Sequence, residues 1–326
     1  MQLSKQKITL DFSDNHSIAE LLGDRDKLIK LIEGEYSVEI FVLGNEVEVV
    51  GKTSQVKKAI KLLTELAFQI NIGQKIDLEK VSDSIRIMES KSGLKPHEVF
   101  KDFLIVNSGK KIKPRTAGQK KYLEAISNNI ITFSIGPAGT GKTYLALAMA
   151  VSELMKNEIG RIILVKPVVE AGEKLGFLPG DIYDKVNPYL KPLYDALYEM
   201  LDIEMFQQYK DMGIIEVVPL AYMRGRTLND SFIILDEAQN ATPEQMKMFL
   251  TRLGFSSKVV VTGDITQIDL PIEKRSGLVL VEQILNDIKG IEFVYLTSKD
   301  IVRHNLVQKI VDAYKEYEQS QDDSKK

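Results

Sequence analysis

Gly136, Pro137, Ala138, Gly139, Thr140, Gly141, Lys142 and Thr143 fit the spacing G-x-x-x-x-G-K-T. Glycines in such a loop let backbone N–H groups point inward at phosphate oxygens. A helix starting at Lys142 would add the positive end of its dipole. Lys142 would then reach the β and γ phosphates of a nucleotide, and the Thr143 hydroxyl would ligate Mg²⁺. A pattern this loose also arises by chance, so its neighbours must decide.

The neighbours agree. NIITFSI, ahead of the loop, has the length and β-branched content of a buried parallel strand, and YLALAMAVSELM, behind it, is apolar nearly all round, as in a helix packed between two layers. A magnesium site needs an acid at the end of another buried strand. The apolar run Phe232 to Leu235 supplies Asp236, with Glu237 next to it where a carboxylate can orient or deprotonate an attacking water. Thr242, Pro243 and Gln245 then spell a capping box at a helix start. A third strand, Val259 to Val261, runs into Gly263-Asp264, and Gln267 beyond it is the candidate sensor of the γ-phosphate. The adjacent acids favour hydrolysis over transfer to a small acceptor, for which no substrate lid stands out.

These elements need a scaffold of their own. At 326 residues, 44% hydrophobic and 27% charged, the chain is too long for one compact core and too apolar for disorder. With 43 Lys plus Arg against 46 Asp plus Glu, the net charge of −3 demands no polyanionic partner. Cysteine is absent, which excludes thiolate chemistry, and the three histidines are scattered. The amino terminus lacks a signal-type apolar core and no run approaches the roughly 20 apolar residues of a membrane span. A cytoplasmic protein with no membrane partner is expected.

Ahead of the phosphate loop the pattern changes. The strand KITLDF, the helix SIAELL, the tetrad Gly23-Asp24-Arg25-Asp26, the helix KLIKLIEG, a hairpin turning at Gly44-Asn45 and a helix through Val56, Ile60, Leu63 and Ala67 follow in order. That order resembles a KH RNA-binding domain, in which a glycine-bracketed loop clamps the nucleic-acid backbone. Here Asp26 stands in place of the second glycine, and two carboxylates sit where phosphates would approach. An RNA contact and a packing module without ligand both remain open. The boundaries expected are a KH-like α+β domain over 1–72, a mostly helical linker over 73–112 and an ATPase core over 113–326, ending in a short disordered tail. A basic stretch, Lys110 to Lys121, leads into the loop.

Taken together, RTAGQKKYLEAI, IGPAGTGKTYLA, VEAGEKLGFLPGD, NPYLKPLYDAL, FIILDEAQNAT, VVVTGDITQIDLP and DIVRH resemble, in the same order, the pattern of PhoH-family ATPases of the bacterial type with an amino-terminal KH-like domain. The resemblance implies an α/β, RecA-like P-loop parallel sheet akin to the first motor domain of superfamily 1 helicases, using ATP and Mg²⁺. It implies Gln119 as a reader of the adenine edge and Tyr122 as a nearby stacking group. Lys166, Glu170 and Lys174 become candidates for contact with single-stranded RNA. With one motor core visible, an arginine from a neighbouring subunit would complete the ATP site in a homo-oligomer, a hexameric ring by family expectation. Arg275 and Arg303 are the first candidates, then Arg252 and Arg226. The function expected is a Mg²⁺-dependent ATPase acting on RNA. The alternatives are an ATP-dependent assembly switch that recruits an RNA-processing or ribosome-related partner and a small-molecule phosphotransferase. Against a GTPase switch, no N-K-x-D guanine-reading motif follows the core, and Ser298-Lys299-Asp300 is only a fragment of one.

Overall fold

The computed structural model describes residues 3–12, 16–90, 92–106, 109–167, 182–271, 273–303, 306–307, 310–311, 313–314 and 317. Glu170, Lys174 and nearly all of the expected tail lie outside them. The described chain divides into two compact units, Met1–Asp102 with Arg115–Ala117, and Phe103–Pro114 with Gly118–Lys326.

The first unit begins with β1 (Leu3–Thr9), α1 (His16–Leu22), a single turn over the tetrad, and α2 (Lys27–Tyr36). It continues through β2 (Val38–Leu43), β3 (Glu46–Lys52) and α3 (Thr53–Asn71). The strands form an antiparallel sheet in the order β1-β3-β2. Their alternation explains the core: Val38, Ile40, Val47 and Val49 turn inward with Val56, Leu63 and Leu66 of α3, while the glutamates between them face water. The segment expected as a linker holds α4 (Leu78–Glu89) and α5 (Pro96–Lys101), and both are grouped with this unit. Val81 and Ile85 of α4 are apolar at helical spacing and complete the same core.

The second unit contains β4 (Leu104–Ile105), β5 (Lys111–Ile112), α6 (Ala117–Asn128), β6 (Ile131–Ile135), α7 (Lys142–Met155), β7 (Arg161–Lys166), α8 (Ile182–Met200) and α9 (Ile203–Asp211). After these come β8 (Ile215–Pro219), β9 (Ser231–Leu235), α10 (Pro243–Leu250), β10 (Lys258–Gly263), α11 (Gly277–Leu285) and β11 (Ile291–Tyr295). Six strands form a parallel sheet in the order β11-β6-β10-β9-β7-β8. Its central strands read as unbroken apolar runs because both faces are covered. Ile162, Leu164, Phe232, Ile234 and Val260 face α6, α7, α8 and α9, whereas Ile163, Val165, Ile233, Leu235, Val259 and Val261 face α10 and α11. Phe133 is fully buried and stacks on Phe293 with centroids 4.5 Å apart. Burying such a ring contributes about 1.5–3 kcal/mol. No helix among the described residues is long and apolar enough to cross a membrane.

Candidate nucleotide site

In an open parallel sheet the carboxyl ends of the strands form the binding edge. Here the neighbouring strands β6, β10 and β9 end in the Gly136–Thr143 loop, in Asp264 and in Asp236. They enclose a cleft of about 280 Å³ lined by loop residues, Asp236, Glu237, Asp264 and Gln267. A larger cavity of about 690 Å³ between α10 and α11 is almost wholly apolar and holds none of this chemistry.

The loop is shaped by its glycines and held from outside. Gly139 and Gly141 have φ of +82° and +80°, which other residues adopt only with strain. Gly136 lies so close to the Leu296 backbone that a Cβ there would sit 2.5 Å from its carbonyl oxygen. Pro137 O accepts from the Thr140 hydroxyl at 2.8 Å, and Thr140 O accepts from Gln119 Nε2 at 3.0 Å. Gln119, buried behind the loop, thus braces its backbone. Lys142 Nζ donates to Gly136 O at 2.6 Å and Pro137 O at 2.9 Å. Burial lowers the pKa of this ammonium, while Asp264, Glu237 and Asp236 oppose the shift.

Thr143 Oγ1 donates to Asp236 Oδ1 at 2.6 Å, and the buried Thr262 hydroxyl donates to the same oxygen at 2.8 Å. Glu237 sits in a left-handed conformation, φ +53°, that turns its carboxylate toward the cleft, where Gln239 Nε2 donates to it at 2.7 Å. Gln239 is 1% exposed and also donates to Gln267 O at 3.1 Å and accepts from Asp264 N–H at 3.1 Å. One buried amide therefore ties the Glu237 carboxylate to the loop that carries Gln267. Gln267 itself is exposed at the rim and donates to Asp264 Oδ2 at 2.9 Å.

Several placements differ from the sequence reading. Tyr122 is completely buried and its hydroxyl donates to Lys142 O at 3.1 Å, so it supports the loop from the core and cannot stack on a base. Its position on the inner face of α6 is decided by packing that the motif alone does not encode. Lys166 approaches Asp236 Oδ2 at 3.8 Å and Glu237 Oε1 at 3.9 Å, which sets it among the acids of the cleft. Arg226 is spent on a two-pronged pair with Glu216 at 2.7 and 2.6 Å, and Arg252 donates to the Met248 and Arg226 carbonyls. Arg275 is exposed. Arg303 lies against the loop of its own chain: Val302 N–H donates to Gly139 O at 3.0 Å, and a Cβ on Gly139 would collide with the guanidinium.

Three partners escaped the sequence reading: Thr262, Gln239, and Asp264 as a loop contact. Asp264 Oδ2 accepts from the Ala138 N–H at 3.1 Å across 126 residues of chain. The only local signal was their position one to three residues from a named strand end or acid. Among the described residues no group of three His, Cys, Asp or Glu could hold a metal by itself. The basic stretch is partly neutralised: Lys110 pairs with Glu199, Arg115 with Asp83 and Lys120 with Glu124.

A phosphate loop between a buried parallel strand and a helix, with an acid pair at the end of the second strand along in the same sheet, defines the P-loop nucleoside-triphosphatase class of α/β domain. The family model described as PhoH-like protein matches residues 111–315. PhoH-like proteins of Mycobacterium tuberculosis and Bacillus subtilis are 52% and 48% identical over 93% and 90% of this chain, covering 86% and 92% of their own lengths. The chain belongs to the PhoH-like protein family. Protein PhoH of Escherichia coli is 45% identical over 62% of this chain and 58% of its own. Among solved structures, the UvsW helicase from bacteriophage T4 aligns over 76% of this chain and 78% of its own, with 17% identity and a TM-score of 0.34. The Pif1 helicase from Candida albicans aligns over 60% and 42%, with 13% identity and a TM-score of 0.31.

Proposed function

We propose that the protein is a Mg²⁺-dependent ATPase that couples hydrolysis to the binding or remodelling of single-stranded RNA. The observation that supports it most is the meeting of Thr143 and Asp236, 2.6 Å apart, beside Lys142 and Glu237. The residues fit the ligands. A carboxylate oxygen of Asp264 already occupies the Ala138 N–H, standing in for a phosphate oxygen, and Gly139 and Gly141 hold the positive φ that shapes the cradle. Thr143 and Asp236 would hold the Mg²⁺. Bound there, the ion would supply positive charge to the β and γ phosphate oxygens.

The chain's own groups do the rest. Lys142 exchanges the Gly136 and Pro137 carbonyls for phosphate oxygens, which restores a full counter-charge to a partly buried ammonium. Glu237 Oε orients the attacking water and takes its proton, and Gln239 fixes the carboxylate for that task. When Asp264 yields the Ala138 N–H, its bonds to Gln267 and the Thr266 hydroxyl shift with it, which reports occupancy to the rim. Arg303 serves the phosphate loop of its own subunit. Arg275 is the arginine left for a neighbour in a homo-oligomeric, hexameric ring.

RNA as substrate is supported by the order of elements in the first unit and its β1-β3-β2 sheet. The test is steady-state ATP hydrolysis with and without single-stranded RNA, with Lys142→Ala as the blank. Stimulation by RNA is expected. A Lys142-dependent rate indifferent to RNA would replace the RNA-coupled enzyme by an assembly switch.

A further inference from the structure

The first unit carries a cleft of about 680 Å³ that shares no residue with the phosphate site or the tetrad. One wall is a single face of α3, where Lys61, Thr64, Glu65 and Phe68 recur at helical spacing, and the facing segment brings Lys95 and His97. Glu65 is 8% exposed, and its Oε1 accepts from the His97 N–H and Nδ1, both at 2.9 Å, and from Gln69 Nε2 at 3.2 Å. A carboxylate so placed makes Nδ1 the protonated ring nitrogen and directs Nε2 away from itself. Phe68 is 45% exposed, and its ring meets that of His97 at 4.6 Å between centroids. Unlike the surrounding core, this aromatic pair is partly open to solvent, and its His97 is held by Glu65.

Lys61 and Lys95 are both exposed, and Glu65, the carboxylate among the described lining residues, already takes three donors at Oε1. A half-open ring beside two ammonium groups suits a flat ring that carries an anion. Phe68 lies about 10 Å along the helix from Lys61, a span a lysine side chain and a nucleotide cover together. We infer that this cleft binds a nucleotide unit, with its base against Phe68 and His97 and its phosphate between Lys61 and Lys95. The nucleotide is either a free monophosphate or one residue of a single-stranded RNA. The second case deepens the proposed RNA coupling and rests on it.

The experiment uses the full chain carrying Lys142→Ala, to disable the phosphate loop, and fluorescence anisotropy of an oligouridylate of about ten nucleotides without ATP. Phe68→Ala should weaken binding about tenfold, and Phe68→Tyr, which keeps the ring, should restore it. Replacing Lys61 and Lys95 by Ala should reduce the slope of log affinity against log salt by about 0.7, the value for one phosphate on a single strand. Competition by uridine monophosphate at concentrations similar to the oligonucleotide identifies a free nucleotide. Competition by oligonucleotide alone identifies the strand. If the parent binds RNA and Phe68→Ala binds it within twofold, the cleft assignment falls while the RNA reading stands. If the parent binds neither ligand, both fall.

Discussion

The molecule presents two glycine-marked loops, each leading into a helix, and they are held in opposite ways. The Gly136–Thr143 loop is fixed by groups far along the chain: Asp236 at 93 residues, Asp264 at 126 residues and Gln119 at 21 residues. Among the described residues the Gly23–Asp26 tetrad is held by local contacts, the Gly23 N–H donating to Ala19 O at 3.0 Å and the Asp26 N–H to Gly23 O at 3.3 Å. Its side-chain bonds are Lys27 to Asp24 and Lys30 to the Arg25 carbonyl, both exposed, and its Arg25 and Asp26 hold φ of +55° and +60°. A loop clamped by remote elements arrives preorganised for one ligand, whereas a loop with local contacts can vary its sequence at little cost to the fold. The departure at Asp26 belongs to the second kind.

Four substitutions or conditions sharpen that contrast. The largest effect is expected at Glu237: Glu237→Gln should slow turnover about 10²–10³-fold while ATP binding changes by less than about threefold, because the cradle is untouched. Rapid-quench turnover and equilibrium binding measure the two separately. Gly136→Ala comes next. Its Cβ would press on backbone at Leu296 that cannot rotate away, which should cost about 1–3 kcal/mol in denaturant unfolding and weaken nucleotide binding as well. Asp26→Gly, by contrast, relieves a left-handed aspartate and should alter stability by less than about 1 kcal/mol, while removing a carboxylate that opposes RNA phosphates. A destabilisation at Asp26 as large as at Gly136 would erase the distinction between the loops.

The smallest effect is a protonic one. Burial holds the Lys142 pKa below its usual 10.5 in the free protein, and phosphate oxygens would raise it again. The complex therefore binds the proton more tightly than the free protein. Binding should take up protons at alkaline pH, and affinity should fall as pH rises through the window between the lowered value and 10.5. Calorimetry in buffers of different ionisation enthalpy counts those protons, and Lys142→Ala should abolish the uptake.

Much of this site was legible in the sequence because its chemistry is local. Lys142 and Thr143 follow their glycines directly, and Asp236 ends an apolar run that could only be a buried strand. Asp264, Gln239 and Lys166 were harder, since their roles arise from which strands lie side by side in the sheet, and strand order is not written in any one segment. Tyr122 shows the converse. The family resemblance suggested a base contact, but the α6 face that carries it turns into the core. Residues 78–101 looked like a connection because their apolar positions are few; Val81 and Ile85 nevertheless fill the last gap in the first unit's core.

In the proposed function, Lys142 and its loop are the seat of ATP hydrolysis. Phosphate release from ATP by the full chain, with Mg²⁺ and then with chelator, compared with Lys142→Ala prepared in parallel, tests this directly. Metal-dependent release by the parent and a loss of at least about 10²-fold in Lys142→Ala are predicted. Equal rates in the two proteins, or no release by the parent under any nucleotide and RNA condition, would contradict it.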